Sequence, residues 1–388
     1  MEIEKLKLKA KDAVELQRQQ LIQLSLKIHD NPELGFEEKK AMAWLTGYLE
    51  DNEFHVDRGI AGVATAFRAT YGQGIPRIAL LAEYDALPKI GHGCGHNIIG
   101  VSATGAGVAS KLIVDRLGGS VVVLGTPAEE DFGGKLNMVQ AGVFEEIDVA
   151  MIVHPAVRNR VTGPALACTG VEVEFFGQPA HASAAPHKGV NALEATILAF
   201  NSINALRQHI KPEARIHGII TDGGEAPNIV PAHSAAEFYV RAPDNKYLDE
   251  LQDKITNCLI GASTATGARM ECRWDDIPFD SMKNNETLAE LFKQNLESLG
   301  RHVEPFNPEF GIGSTDMGNV SQVVPSIHPT IAIASPEVLG HTPEFAAAAA
   351  SEAGHEGLMD AAKAMAMTVA DILQPGTLDK IKQEFCRG

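Results

Sequence analysis

Three short apolar runs, at residues 77–82, 120–124 and 149–153, constrain this chain more than any other feature. Each has the length of a buried strand and no polar alternation, and helical stretches separate them, which is the pattern of a sheet covered on both faces. Strands alternating with helices predict an α/β unit whose sheet is mainly parallel. Two amphipathic segments come first. Within residues 14–28, Leu21, Leu24 and Ile28 share one helical face, and Ala41, Trp44, Leu45, Tyr48 and Leu49 repeat the pattern beyond Asn31-Pro32.

From Gly170 the pattern changes, because Val171-Glu172-Val173-Glu174-Phe175 alternates as a half-exposed strand does. A helix over 191–209, strands near 216–221 and 235–241, a helix over 248–262 and a strand near 270–274 make this an α+β unit. Beyond residue 280 the α/β pattern returns, with a helix over 288–299, a strand at 330–334 and a last helix near 358–373. The alanine run at 346–350 reads as a helix start. At 388 residues the chain exceeds what one core normally serves. The expected division is therefore 1–168 and 281–388 for the α/β domain, with an insertion at 169–280.

Composition excludes several function classes. The formal charge is -17, and no cluster of Lys and Arg is present to displace counterions, which argues against nucleic acid. Met1-Glu2-Ile3-Glu4-Lys5 alternates charge where an export signal is apolar, so a cytoplasmic chain is expected. Residues 97–110 are weakly polar but read as too short to cross a bilayer, and no membrane segment is expected. The five cysteines are odd in number and irregularly spaced, which argues against a disulfide framework. Cys94 stands apart, between two histidines.

Ligands bind beyond the carboxyl ends of strands in an open parallel sheet, so the residues after each apolar run are the informative ones. They are Glu83-Tyr84-Asp85, then Gly125-Thr126-Pro127-Ala128-Glu129-Glu130, then His154-Pro155. Between the first two runs lies His92-Gly93-Cys94-Gly95-His96-Asn97, where glycines free the backbone and thiolate and imidazole donors sit two residues apart. Together with Asp85, Glu129, Glu130 and His154 these exceed what one metal ion needs, and the excess favours two ions. The pair Glu129-Glu130 suits a division of labour, one carboxylate on metal and its neighbour on protons. Taken singly, each residue has a plainer reading: a solvated acidic turn, a core histidine, or, for Asp85, a cap on the turn at Leu87-Pro88. Both roles stay open for Asp85. A cysteine-hydrolase reading of Cys94 and His96 lacks an obvious third orienting group.

The ordered set Ala82-Glu83-Tyr84-Asp85-Ala86-Leu87-Pro88, His92-Gly93-Cys94-Gly95-His96-Asn97, Pro127-Ala128-Glu129-Glu130, His154-Pro155 and Gly340-His341-Thr342-Pro343 resembles the aminoacylase and carboxypeptidase-G family of dinuclear metallopeptidases, peptidase family M20. It looks like the amidohydrolase branch, which includes auxin-conjugate hydrolases, aminobenzoyl-glutamate hydrolases, bacterial aminoacylases and dipeptidases acting on basic amino acids. The resemblance covers nearly the whole chain, including His29-Asp30-Asn31-Pro32-Glu33-Leu34-Gly35-Phe36.

That resemblance implies two divalent ions in each copy of the chain, Zn2+ or Mn2+, held by Cys94, His96, Glu130, His154 and His341. A thiolate favours zinc, while carboxylate and imidazole donors also suit manganese. Glu129 would be the general base, and Asp85 would orient a ligand. The insertion would be the family's dimerisation (lid) domain, implying a homodimer. Its signature is Gly177-Gln178-Pro179-Ala180-His181-Ala182-Ser183, in which His181 would polarise the substrate carbonyl, often in the partner's active site. Asn228 would also reach substrate, and Asp316 and Asn319, within Gly313-Ser314-Thr315-Asp316-Met317-Gly318-Asn319, would line the pocket. Asn97-Ile98-Ile99 departs from the aspartate and second histidine of the auxin-conjugate enzymes and is nearer the basic-dipeptidase and aminobenzoyl-glutamate groups. The expected activity is hydrolysis of the amide of a small N-acyl amino acid or dipeptide. Alternatives are an aromatic-amine aminohydrolase, a carboxypeptidase, and a non-catalytic metal-stabilised binding protein, the last disfavoured by the presence of Glu129.

Overall fold

The computed structural model describes residues 2–130, 133–307 and 311–387. They form two compact units: Ala165–Ser281 with Ile312–Ser314 is one, and the remaining described residues are the other. The span 169–280 lies within the former, the second unit, and the described residues outside that unit make up the first unit. The short return at Ile312–Ser314, closed by Leu166 N–H donating to Gly313 O at 2.8 Å, carries no sequence signal.

The chain opens with α1 (Glu2–Leu16), α2 (Arg18–His29) and α3 (Lys39–Asp51), followed by β1 (His55–Arg58), β2 (Phe67–Gln73) and β3 (Arg77–Ala82). Next come α4 (His96–Leu117), β4 (Gly119–Gly125), α5 (Gly134–Gln140), β5 (Val149–Met151) and β6 (His154–Ala156). The second unit holds β7 (Ala167–Phe176), α6 (Ala192–Leu206), β8 (Arg215–Asp222), β9 (His233–Ala242), α7 (Asn245–Thr266) and β10 (Arg269–Trp274). The first unit resumes with α8 (Glu286–Ser298), α9 (Met317–Val323), β11 (Ser326–Ile327), β12 (Thr330–Ala332), α10 (Pro343–Ala349), α11 (Glu352–Ile372) and α12 (Thr377–Arg387).

The large sheet runs β1-β2-β4-β3-β5-β11. β3 lies parallel to β4 and β5, and β11 parallel to β5, while β1 and β2 form an antiparallel margin. Alternate residues of β3 explain its unbroken apolar reading. Ile78, Leu80 and Ala82 enter one core with α1, α2, α4, α8 and α11, whereas Ala79 and Leu81 enter another with Met138 of α5 and Met317 and Val320 of α9. Helices therefore cover both faces. In the second unit the antiparallel sheet β10-β7-β9-β8 packs Val171, Val173 and Phe175 against α6 and α7, with Glu172 and Glu174 exposed.

Four expectations need correction. The weakly polar stretch at 97–110 belongs to α4, which continues to Leu117; its 22 residues are long and apolar enough to cross a bilayer, yet 83% of that window is buried in the first unit. The segment 14–28 is two helices, α1 and α2, broken at Gln17. The alanine run ends a helix instead of starting one, because caps decide the boundaries: Thr342 Oγ1 accepts Phe345 N–H to start α10, and Ser351 Oγ accepts Gly354 N–H to start α11. Finally, β1, β2 and α12 were not foreseen.

Candidate metal centre

Chain turns at the carboxyl end of the sheet gather the predicted donors. β3 delivers Glu83 and Asp85, and α4 begins at His96. Gly95 caps that helix at φ 79, where a Cβ would also lie 2.9 Å from Pro155, so only glycine fits. After β4, Ala128 takes φ 59 and donates its N–H to Glu38 Oε1 at 2.8 Å, which sets the turn carrying Glu129 and Glu130. His154 opens β6, which pairs with β12 through Thr330. His341 precedes α10, and its N–H donates to Gly93 O at 2.9 Å, tying it to the Cys94 loop.

Three donor sets result: Cys94, His96 and His154; Cys94, Glu130 and His341; and His96, Glu129 and Glu130, with the ligand atoms of each set within 4.8 Å of one another. Cys94 Sγ is 3.4 Å from His154 Nε2, Glu130 Oε1 is 3.7 Å from His96 Nε2, and Glu130 Oε2 is 3.6 Å from His341 Nε2. Cys94, His96 and Glu130 each belong to two of the sets. His96 Nε2 and Glu130 Oε1 are buried without a hydrogen-bond partner. Orphaned buried donors and acceptors require an explanation, and a divalent ion fits a thiol, two imidazoles and a carboxylate at this spacing.

Neighbouring groups decide which ring nitrogens are free. His96 Nδ1 donates to Asp85 Oδ1 at 2.9 Å, leaving the Nε2 lone pair toward Glu130. Asp85 Oδ2 accepts the Glu130 N–H at 3.0 Å. Both bonds are ones that an orienting Asp85 would make. His154 Nδ1 donates to Pro155 O at 2.6 Å, which frees Nε2 toward Cys94. Burial pushes the Cys94 thiol well up, so Asp85, although a third group on His96, does not make Cys94 an activated nucleophile. Burial would lower His96, but Asp85 and Cys94 more than offset it and push its pKa up. Glu129 lies well above the ordinary carboxylate range because of burial, reinforced by Glu83 and Asp316. A carboxyl so shifted is suited both to accept a proton and to return it.

His181 and Asn228 belong to the second unit and are exposed. His181 Nδ1 accepts Ser183 N–H at 3.3 Å and Ala184 N–H at 3.1 Å, so the ring hydrogen sits on Nε2. Ala182 N–H donates to Asn228 O at 3.0 Å, holding the two motifs together. Asp316 and Asn319, expected against substrate, are 0% and 6% exposed. Both Asp316 oxygens are engaged by Lys135, through Nζ at 2.6 Å and the backbone N–H at 3.0 Å. Sequence reasoning missed Lys135, assigned no role to Glu83, and missed His328. His328 follows β11 as His154 follows β5, its ring lies 5.5 Å from that of His154, and burial holds it neutral with a pKa lowered to about 3. The strand-end rule applies to it, but a two-residue strand gives no pattern to read.

Residues 168–262 match the peptidase dimerisation domain of the M20 family. The chain is 37% identical over 404 residues to the Xaa-Arg dipeptidase of Mus musculus, covering 99% of this chain and 93% of that protein. It is 31% identical to a p-aminobenzoyl-glutamate hydrolase subunit of Escherichia coli (strain K12), covering 96% and 93%. The Bacillus subtilis YXEP protein, described as a dinuclear metal binding peptidase, shares the fold with a TM-score of 0.72 at 20% identity, over 93% of this chain and 99% of that one. With near full-length identity to named hydrolases, the matched dimerisation domain and this donor cluster, the chain belongs to the M20 peptidase family and is a hydrolase.

Proposed function

We propose that this chain hydrolyses the amide bond of a small N-acyl amino acid or dipeptide, with Glu129 moving the proton. The observation that carries the reading is the convergence of Cys94, His96, Glu130, His154 and His341 beside the half-buried Glu129. These five residues would hold two divalent ions, Zn2+ or Mn2+. When bound, the ions supply an acidified water and a polarised carbonyl. Glu129 accepts the proton of the attacking water and passes it to the leaving amide nitrogen. Its raised pKa suits both halves of that transfer. Asp85 keeps His96 in its ligating tautomer. His181, with its hydrogen on Nε2, is the donor to the developing oxyanion, and its loss should cost on the order of 3 kcal/mol in turnover.

A dipeptide ending in a basic residue is the first substrate to test, because the mouse relative is an Xaa-Arg dipeptidase. Aminobenzoyl-glutamate is the second, from the Escherichia coli relative. The dimerisation-domain match supports a homodimer, which light scattering measures directly. The deciding experiment assays purified protein with added Zn2+ or Mn2+ against N-acyl amino acids, dipeptides with basic, acidic and apolar carboxyl-terminal residues, and aminobenzoyl-glutamate. Release of the free amino acid that disappears on chelation and returns with metal is expected. A metal-loaded protein that cleaves none of these amides would overturn the reading.

A further inference from the structure

We propose that Glu83, clamped by Lys135 and Asp316, is a further carboxylate of the metal centre, and that Lys135 is the residue that positions it. The inference rests on the metal-centre reading and extends it to residues that reading does not use.

Glu83 is the first residue after β3, Lys135 lies in the first turn of α5, and Asp316 immediately precedes α9. All three side chains are 0% exposed. Lys135 Nζ sits 2.5 Å from Glu83 Oε1 and 2.6 Å from Asp316 Oδ1. Because Asp316 Oδ2 also accepts the Lys135 backbone N–H at 3.0 Å, both ends of the lysine are fixed. The ammonium engages one oxygen of Glu83 and turns the other elsewhere. Neither Glu83 oxygen has a hydrogen-bond partner, and the one turned away from Lys135, Oε2, lies 3.6 Å from His96 Nε2, which is buried and unpartnered as well.

Charge and spacing then point the same way. One ammonium between two carboxylates leaves one negative charge uncompensated, and a buried excess charge is strongly unfavourable unless something pairs with it. Glu83 Oε2 faces the donor cluster, where a cation supplies that pairing. Two ligands on one tetrahedral zinc ion, each about 2.1 Å from it, lie roughly 3.4 Å apart. The Glu83 to His96 distance of 3.6 Å and the Glu130 to His96 distance of 3.7 Å both match that geometry. Glu83 thus lies at the same distance from His96 Nε2 as Glu130 does, within 0.1 Å.

The test measures metal binding, independently of turnover. Full-length protein is stripped with chelator, reloaded with Zn2+, and its stoichiometry and affinity are read by elemental analysis and competition with a chromogenic chelator. Glu83→Gln leaves Lys135 and Asp316 as a balanced pair, so folding is retained, and at least one ion should bind about tenfold or more weakly. Asp316→Asn loosens the clamp but keeps the Glu83 charge, and its loss of affinity should be smaller. Glu83→Asp keeps the charge on a shorter arm and should fall between wild type and Glu83→Gln; it decides the matter if Glu83→Gln does not fold. Wild-type affinity in Glu83→Gln or in Glu83→Asp overturns the inference, as does an Asp316→Asn loss equal to that of Glu83→Gln, and either result leaves the metal-centre reading intact. A wild-type chain that takes up no divalent ion overturns both.

Discussion

Replacing Asp85 with asparagine preserves the shape of a side chain that is 1% exposed and changes only what its two terminal atoms can do. In the native site one oxygen accepts from His96 Nδ1 at 2.9 Å and the other accepts the Glu130 N–H at 3.0 Å. An amide has only one oxygen. If that oxygen serves Glu130, the NH2 group faces His96 Nδ1, and the imidazole must carry its hydrogen on Nε2, the atom 3.7 Å from Glu130 Oε1. Nε2 then offers no lone pair to a cation. If the amide turns over, the Glu130 N–H meets a donor and is left unpaired, at a cost of about 1–3 kcal/mol. Loss of a partner that orients a metal-bound histidine typically weakens metal binding about 10–100-fold, or about 1.4–2.8 kcal/mol. Competition for Zn2+ between Asp85→Asn and a chromogenic chelator should therefore show a Kd raised about tenfold or more, with the far-ultraviolet circular dichroism unchanged. A folded variant that binds Zn2+ as tightly as wild type would refute the tautomer argument.

Glu129→Gln should lower kcat by about 10²–10⁴-fold while metal content stays at the wild-type level; elemental analysis showing lost metal would instead make Glu129 a ligand. Burial, with Asp85 nearby, raises the Glu38 carboxyl from 4.5 to about 7. The native state therefore binds that proton more tightly than the unfolded chain, so the contribution is complete below about pH 4.5 and is lost as the pH rises through about 7. Glu38→Gln should flatten the fall in melting temperature across that window, and an unchanged slope in melts at several pH values would reject the assignment. A Cβ at Gly134 would lie 1.9 Å from the Pro127 carbonyl oxygen. Gly134→Ala should thus push α5 and Lys135 off the Glu129 turn, lowering stability by about 1–3 kcal/mol in denaturant melts, and a wild-type midpoint would show that the turn yields freely.

The central strand and the donors that follow it were legible because both depend on local pattern. A strand covered on both faces tolerates no polar residue, so β3 was readable to its end at Ala82, and Asp85 was then only a few residues away. The Cys94-Gly95-His96 loop was legible for the same reason, since its donors are close in sequence. His341 had no such signal; only the ordered motifs connected it with Cys94, and the N–H bond to Gly93 is what brings it there. Asp316 was named from a matched motif, and its pairing with Lys135 has no local signal in the sequence. Lys135, after two glycines, looks exposed.

The sequence by itself determined the mainly parallel sheet and the inserted α+β unit, since these follow from residue type and short-range periodicity, while the expected donor set rested on the ordered motifs. Only the tertiary structure decided which ring nitrogen of His96 is free, which oxygen of Glu83 is engaged, and that Lys135 and Asp316 are buried together. Those outcomes arise where the chain after β3 meets the starts of α4, α5 and α9. Burial and hydrogen-bond partnership are properties of such crossings, and no single segment of chain contains them.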